Sequence, residues 1–420
     1  MCCRIVSSVQ IGLTPPLRLM GAANIMPLPK SVVIIGAGIV GLAIANKLSE
    51  SGVKVTVIEK EAAVASHQSS RNSGVIHAGP YYRPGSLKAK LCNSGNKQMI
   101  KFAINHGIPH KVTGKLIVAT SQADEGRLKS IAERAKQNMV ESELIGRSQI
   151  LELEPHCGSH LALHVKRTAI INFGLVARKL ADLSLASGAE LILRSRVTAI
   201  REDSQGVWVE HEKGRTRAEF LINAAGLHSD KIARLAGLST NVRILPFKGE
   251  YFELNEESSN LVKGLIYPTP DSSMPFLGVH LTKMISGSVH AGPNALLVLR
   301  KEGYKHGSSD RMEVAKLLTY SGTYGFLSRN PGFALQELHR SLSKKRYVED
   351  LAKLIPGLST KDLFAAESGI RAQAVARDGA LIDDFVFEKT KRQLHILNGP
   401  SPAASASLAI ASYLIEEISV

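Results

Sequence analysis

Residues 31–60 read Ser31-Val-Val-Ile-Ile-Gly36-Ala-Gly38-Ile-Val-Gly41-Leu-Ala-Ile-Ala-Asn-Lys-Leu-Ser-Glu-Ser-Gly-Val-Lys-Val-Thr-Val-Ile-Glu59-Lys60. The run 32–35 is apolar at every position, the pattern of a strand buried on both faces of a parallel sheet. It passes directly into the spacing Gly36-x-Gly38-x-x-Gly41. A helix is expected next, because Val40, Ile44 and Leu48 recur at four-residue intervals. Gly52 closes that helix, residues 53–58 form a second strand, and Glu59 stands at its end. Gly36 permits a tight turn, Gly38 lets backbone approach a pyrophosphate, and Gly41 lets helix and strand pack closely. The free N–H groups and positive end of the helix favour phosphate. Glu59 can accept hydrogen bonds from a ribose diol and would repel a 2′-phosphate. Three spaced glycines are weak evidence alone. Strand, turn, helix, second strand and terminal acid in this order predict a dinucleotide site, without saying which dinucleotide.

Working outward, 420 residues are enough for two domains, and 44% hydrophobic with 21% charged residues is ordinary globular composition. Outside the glycine-interrupted opening stretch, no apolar run is long enough to predict a transmembrane helix. The four cysteines, Cys2, Cys3, Cys92 and Cys157, form no CxxC pair. That spacing argues against an iron–sulfur cluster, a zinc site or a redox dithiol, and for a reducing compartment. The net charge of +15 is spread without a dense basic tract, and there is one Trp. A matrix protein acting on anionic substrates explains the charge as well as nucleic-acid binding does, a merely basic surface is the plain alternative, and no nucleic-acid partner is expected. Residues 1–30 carry Arg4, Arg18 and Lys30 and no acid; the first acidic residue is Glu50. Such a leader reads as a mitochondrial transit peptide, which would place the protein in the matrix or on the matrix face of the inner membrane, with a disordered tail as the alternative.

The segment 65–82 is dense in hydroxyls and small residues. It can lay Ser69, Ser70 and Asn72 against phosphates and bring Gly74, His77 and Tyr82 beside a flat ring. Helices are expected over 86–106, 123–138 and 173–187, and strands over 116–118 and 189–193. A meander follows at 197–211, with Val197 at its start counted among the cofactor contacts. At 219–235 a second strand–glycine–helix junction, at Gly226, is placed to meet the same pyrophosphate or the ring edge. Residues 243–290 read as antiparallel strands (243–245, 250–254, 264–267, 276–281) separated by Pro, Gly, Ser and Asp. Residues 309–355 are helical and basic, and Ser343-Lys-Lys-Arg346 is either a solvated face or a membrane-surface contact. The chain ends in a strand that turns through Asn398 and Gly399 into a helix, with Ser401 expected at its N-cap and Pro402 at its first position. Small residues at 403–406 permit close approach of a flat ligand. The positive end of that helix would stabilise charge gained by a reduced flavin.

The carriers of a family likeness are Gly36-Ala-Gly-Ile-Val-Gly41, Ser70-Arg-Asn-Ser-Gly-Val-Ile-His-Ala-Gly79, Phe247-Lys-Gly-Glu-Tyr-Phe252, Phe276-Leu-Gly-Val-His-Leu281, Gly292-Pro-Asn-Ala-Leu296, Gly369-Ile-Arg-Ala-Gln373 and Asn398-Gly-Pro-Ser-Pro-Ala-Ala404. Through them the chain resembles the FAD-dependent D-amino-acid-oxidase-like superfamily. Within it, the chain looks like the mitochondrial, plant-type L-2-hydroxyglutarate dehydrogenases. Pro80 and Gly399 depart from the family pattern and bear on fine substrate tuning.

The resemblance implies an α/β (α+β) architecture. A Rossmann-like FAD-binding domain would be built from the discontinuous segments 31–85, 150–242 and 365–420. A mixed or antiparallel-sheet substrate domain would come from 86–149 and 243–364. It also implies oxidation of (S)-2-hydroxyglutarate to 2-oxoglutarate, with electrons passing to a membrane quinone or another acceptor. Two rivals stand beside it: an amino-acid or amine oxidase of the same fold, and a flavin-bearing respiratory assembly factor without turnover.

Oxidation of a 2-hydroxydicarboxylate takes hydride from C2 while the hydroxyl loses its proton. The site needs a base, cationic carboxylate anchors and a dry ring face. Arg371 is the expected anchor, since a guanidinium grips a carboxylate bidentately. His280 is the first candidate for the base and His77 the second, a neutral imidazole being the proton acceptor available near neutral pH. The alternative for His77 is support of the flavin, even covalently. Lys248, Tyr251 and Tyr82 are the remaining candidates for substrate contacts, Lys248 or Tyr251 holding the distal carboxylate. Metal ligands are not expected.

Overall fold

The computed structural model describes residues 27–271, 274, 276–304 and 311–419. The expected leader lies outside the described residues, save for 27–30. Strand Ser31–Ile35 is an inner strand of a six-stranded sheet. From one edge the order is Val386–Lys389, Gln393–Asn398, Phe220–Asn223, Ser31–Ile35, Lys54–Ile58 and Glu190–Ile192. All neighbours are parallel except the outermost, Val386–Lys389.

The unbroken apolar run 32–35 has a direct reason. Val32 and Ile34 pack into a core with Leu42 and Ile44 of helix Ile39–Glu50, Leu180 of helix Phe173–Ala186 and Ile410 of helix Ala403–Ile418. Val33 and Ile35 point the other way, into a core with Val207 and Val209 of the meander Val197–Asp203, Gly206–His211 and Gly214–Ala218. Each face of one strand thus completes a different core. Truncating Ile34, which is fully buried, to Ala is expected to cost about 2–5 kcal/mol.

An eight-stranded sheet forms the second layer, in the order Leu363–Ala365, Phe252–Leu254, Val289–Gly292, His280–Lys283, Leu265–Pro268, Lys115–Val118, Leu161–Val165 and Ser142–Gly146. Tyr347 and Leu351 of helix Lys344–Ala352 pack on it beside Leu254, Val289 and Leu363. A third sheet joins the halves: Val242–Gly249 pairs along its whole length with Gly369–Ala376, and Leu296–Leu297 adds an edge.

Three expected segment boundaries differ from this arrangement. Helix Leu87–Asn105, expected with the substrate part, packs on the C-terminal helix. An added Cβ on Gly95 would come within 2.5 Å of the Ala406 backbone, and Leu91, Met99 and Ala103 share the core of the six-stranded sheet. Strand Leu161–Val165, expected with the FAD-binding segments, pairs with Lys115–Val118 in the eight-stranded sheet. The boundary at 364/365 separates two strands, Val242–Gly249 and Gly369–Ala376, that hydrogen-bond to each other. Contiguous segments cannot divide this fold cleanly, because ladder hydrogen bonds are indifferent to sequence distance. The strand expected over 276–281 begins only at His280.

Candidate active site

One elongated cavity, about 610 Å³, lies between the two large sheets. It runs from Gly36, Gly38 and Glu59, at the carboxyl ends of the parallel strands, to Tyr251, His280 and Arg371. A ligand crevice at the carboxyl ends of such strands is the general rule for open α/β sheets.

At the first end each glycine has a distinct reason. Gly36 has φ +106°, and a Cβ on it would stand 2.6 Å from the Ala224 carbonyl oxygen. A Cβ on Gly41 would stand 2.2 Å from the Gly36 oxygen, so Gly41 serves helix–strand packing and does not line the cavity. Gly38 is the N-cap of the first helix, and the Ile39 N–H donates to Ser69 Oγ at 2.9 Å. Glu59 accepts from the Ala37 N–H at 2.8 Å and from the Glu61 N–H at 2.9 Å. It braces the glycine turn, and each oxygen keeps a second acceptor position for a ligand.

Asn72 braces its own loop, its Oδ1 accepting from Gly74 N–H and its amide donating to the Gln68 and Ser69 carbonyls. Asn72, Ser69, Val197, Gly226, Gly399 and Ser401 all line the cavity. A Cβ on Gly399 would meet no protein atom nearer than 3.8 Å, so the space over that residue is available to a ligand. The small residues, the unobstructed first-helix terminus and the cradle over Gly399 fit a flat dinucleotide.

Several expected contacts fall elsewhere. Ser70 is exposed and sits against Gly174, off the cavity. Gly74, at φ +62° against the Ile171 carbonyl, shapes the loop and does not line the site. Asn398 is fully buried and structural. It accepts from the Ala374 N–H and donates to the Ile382 and Asp384 carbonyls, so both amide hydrogens and its oxygen stitch three segments together. Ser401 is not the cap; Pro402 takes that position and helix Ala403–Ile418 starts one residue later than expected. Lys248 faces away from the cavity and pairs with Glu250 at 3.3 Å. Phe247, not Lys248, pairs across from Arg371, so alternation puts Lys248 and Arg371 on opposite faces of the ladder.

The far end is built from rings and cations. His280 stacks on Tyr267 with centroids 3.9 Å apart. Its Nδ1 lies 2.9 Å from the Gly278 carbonyl, which assigns the proton to Nδ1 and leaves Nε2 as acceptor. Burial pushes the His280 pKa down to about 3, against the partial support of the Gly278 bond and with help from the charges of Arg371 and Lys115. His77 is buried too, and burial followed by Lys115, His280 and Arg371 holds it well below the usual histidine value. Both imidazoles are therefore neutral at physiological pH, as a proton acceptor must be. The His77 backbone N–H donates to Ser405 Oγ, which sets this residue against the C-terminal helix.

Arg371 sits under the Phe276 ring at 5.6 Å and beside the Tyr251 hydroxyl. No carboxylate pairs with it among the described residues. Tyr82 is buried against Tyr81, edge to face at 5.1 Å. Burial raises the phenol pKa values of Tyr81, Tyr82 and Tyr251, so all three remain neutral.

The structure adds groups that the sequence did not signal. Lys88, at the cavity wall, donates to Asp383 at 2.8 Å and lies over the Tyr82 ring. At the opposite end the Lys60 ammonium stands between Glu61 and Glu302, and Glu302 also accepts from His228. Glu61, His67 and Glu302 come together with metal-like spacing, but Lys60 already fills their centre. These segments are far apart in the chain, and no local pattern announces their meeting.

Comparison with known proteins adds the decisive observation. The sequence profile of the DAO family, FAD dependent oxidoreductase, matches residues 31–417. The chain belongs to this family. The L-2-hydroxyglutarate dehydrogenase of Indibacter alkaliphilus is 41% identical over 92% of this chain and 98% of its own length. That of Escherichia coli K12 is 39% identical over 92% of each chain, and the mitochondrial enzyme of Mus musculus 39% identical over 91% of this chain and 87% of its own.

Within the FAD-dependent oxidoreductases, then, this chain groups with the L-2-hydroxyglutarate dehydrogenases, and its cofactor is FAD. Among solved folds, the FAD-bound L-α-glycerophosphate oxidase of Mycoplasma pneumoniae superposes with a TM-score of 0.75 at 22% identity, covering 91% of this chain and 92% of that one. The glycine oxidase of Geobacillus kaustophilus does so at 0.68 and 18%, covering 92% and 94%. Those two likenesses show the fold alone.

Proposed function

We propose that this FAD-dependent oxidoreductase converts (S)-2-hydroxyglutarate to 2-oxoglutarate. The observation that carries the reading is Arg371, a guanidinium without a carboxylate partner among the described residues, facing the same cavity end as two buried, neutral histidines. FAD, when bound, supplies the two-electron acceptor. Gly36, Gly38 and Glu59 would hold its adenosine and pyrophosphate half, with Gly226, Gly399 and the start of the C-terminal helix at its ring.

Arg371 grips the carboxylate next to C2 and so fixes which face of C2 meets the ring. His280 Nε2 takes the hydroxyl proton, the imidazole being oriented by its Nδ1–H bond to Gly278, and His77 is the second candidate. The rings of Tyr81, Tyr251, Tyr267 and Phe276 keep water from the reacting carbon. The test is anaerobic mixing with each 2-hydroxyglutarate enantiomer. Loss of flavin absorbance with the S form alone is expected. Loss with glycine or sarcosine instead would favour the oxidase rival, and no loss with any of them the assembly-factor rival.

For the electron acceptor and location we infer a membrane partner on the matrix side of the inner mitochondrial membrane. Helix Pro331–Leu342 exposes Leu335, Leu338 and Leu342 at 59%, 43% and 76%, next to the basic run Lys344, Lys345 and Arg346. An apolar stripe edged by cations suits an anionic bilayer surface. No described helix is long and apolar enough to cross a membrane. The mouse and Caenorhabditis elegans relatives are named mitochondrial, and the acid-free leader agrees with that address. Flotation with anionic vesicles, lost in a Leu335→Asp/Leu338→Asp variant that still reduces its flavin, is the expected result.

A further inference from the structure

Lys115 stands behind the cavity wall and takes no part in the chemistry assigned to Arg371 and the histidines. It opens strand Lys115–Val118, is 1% exposed, and its Nζ has no hydrogen-bond partner. The ammonium lies over two aromatic faces, 5.1 Å from the Tyr81 ring centroid and 4.8 Å from that of Tyr267. Both rings line the cavity, and Tyr267 carries His280 on its other contact. Cation–π attraction offsets part of the desolvation of this charge. It does not replace an anion, and a buried cation without one is costly.

Among the described residues the fold gives Lys115 no carboxylate. Strand alternation turns its side chain to the same side as Ile117, towards Ala78, Leu163 and Val165, all apolar. Tyr267 reaches this side because it pairs in register with Ile117. Of the charged groups near the site, Arg371 is also a cation, Lys88 is offset by Asp383 and Asp271 pairs with Arg127, His77 and His280 are neutral, and the Cys92 thiol is held protonated by burial, its pKa about 12. The far end of the cavity therefore carries more positive charge than one carboxylate balances.

We propose that Lys115 is a specificity-determining residue, whose uncompensated charge behind the Tyr81–Tyr267 wall selects substrates bearing a second carboxylate. This rests on the 2-hydroxy-acid reading above and replaces Lys248 in the role of answering the distal carboxylate. Arg371 orients the carboxylate at C1; Lys115 raises the affinity for a dianion over a monoanion of equal length. Because the interior screens charge poorly, the field of Lys115 acts across the ring without direct contact. Burial lowers its pKa to about 8, so the ammonium is largely charged at pH 7 and neutral at pH 9.5.

The test compares the product-like diacid 2-oxoglutarate with the monoacid 2-oxopentanoate, as inhibitors of holoenzyme competing with (S)-2-hydroxyglutarate. In Lys115→Met the preference for the diacid is expected to fall about tenfold or more. In unmodified holoenzyme the same preference is expected to fall between pH 7 and 9.5. Over that range His77 and His280 stay neutral, and the thiol and the phenols stay protonated.

An unchanged preference in both experiments overturns the proposal. So does equal weakening of both inhibitors in Lys115→Met, which would assign the charge to the reacting centre. If Lys115→Met fails to retain flavin, the pH series on the unmodified holoenzyme decides alone. Failure of the broader reading is separately visible: flavin in the unmodified protein would not be reduced by (S)-2-hydroxyglutarate at all.

Discussion

His280 lies nearly flat on Tyr267, with ring centroids 3.9 Å apart and planes 29° from parallel. The two face each other on adjacent antiparallel strands, since Ile266 pairs with Leu281. The stack and the Gly278 carbonyl together fix the imidazole plane and its tautomer. A base must be held in this way if its free nitrogen is to meet one proton on one substrate face.

Replacing His280 by Ala is therefore expected to lower kcat by about 10²-fold or more, with flavin binding retained. The measurement is the rate of anaerobic flavin reduction at saturating substrate. If His77→Ala has this effect and His280→Ala does not, the two histidines exchange roles.

The activity should resist acid. A histidine base works when neutral, so activity is lost as pH falls through its pKa. For His280 burial places that loss towards pH 3, not at the ordinary value of 6.5. The pH profile of kcat/KM should show no acid limb between pH 6.5 and 5 while the protein remains folded. A limb centred near 6.5 would mean that the working base is solvated.

Arg371→Lys should raise KM about tenfold or more and lower kcat as well, because a lysine cannot reproduce a planar two-point grip. An unchanged kcat/KM would remove Arg371 from the site. Lys248→Met, by contrast, should leave KM within about twofold of normal, since Lys248 pairs with Glu250 away from the cavity.

Glu59→Ala removes acceptors from the Ala37 and Glu61 N–H groups as well as from any bound ribose. Retention of FAD through dialysis should fall by about tenfold or more, each lost charged acceptor leaving a backbone donor unpaired. A Glu59→Gln protein, which keeps one acceptor, should fall between the two. Equal retention in all three would contradict a cofactor role for this carboxylate.

Local patterns carried the first half of the molecule. The apolar run 32–35, the three glycines and Glu59 fall where their periodicity and spacing place them, because residue type and spacing set the turn, the helix face and the doubly buried strand of a βαβ unit locally. Helix and strand positions elsewhere hold to within a few residues for the same reason. The far end was harder to read. Lys248 was an expected contact for the distal carboxylate, and Lys115 carries no local signal. Only pairing decides that the first meets Glu250 and the second lies under Tyr81 and Tyr267. Asn398 looked like a ligand contact, and its three hydrogen bonds to distant backbone are visible only once those segments are in place.

The sequence by itself determined that a dinucleotide is held at the end of a parallel sheet. It also singled out an arginine and two histidines as the chemical groups, since residue type and spacing set what each can do. The tertiary structure decided which side chains share the cavity, which histidine nitrogen is free, and which lysine is buried without a counter-charge. Those facts depend on strand register and desolvation, and both arise from contacts between residues that are hundreds of positions apart or less than a turn out of phase.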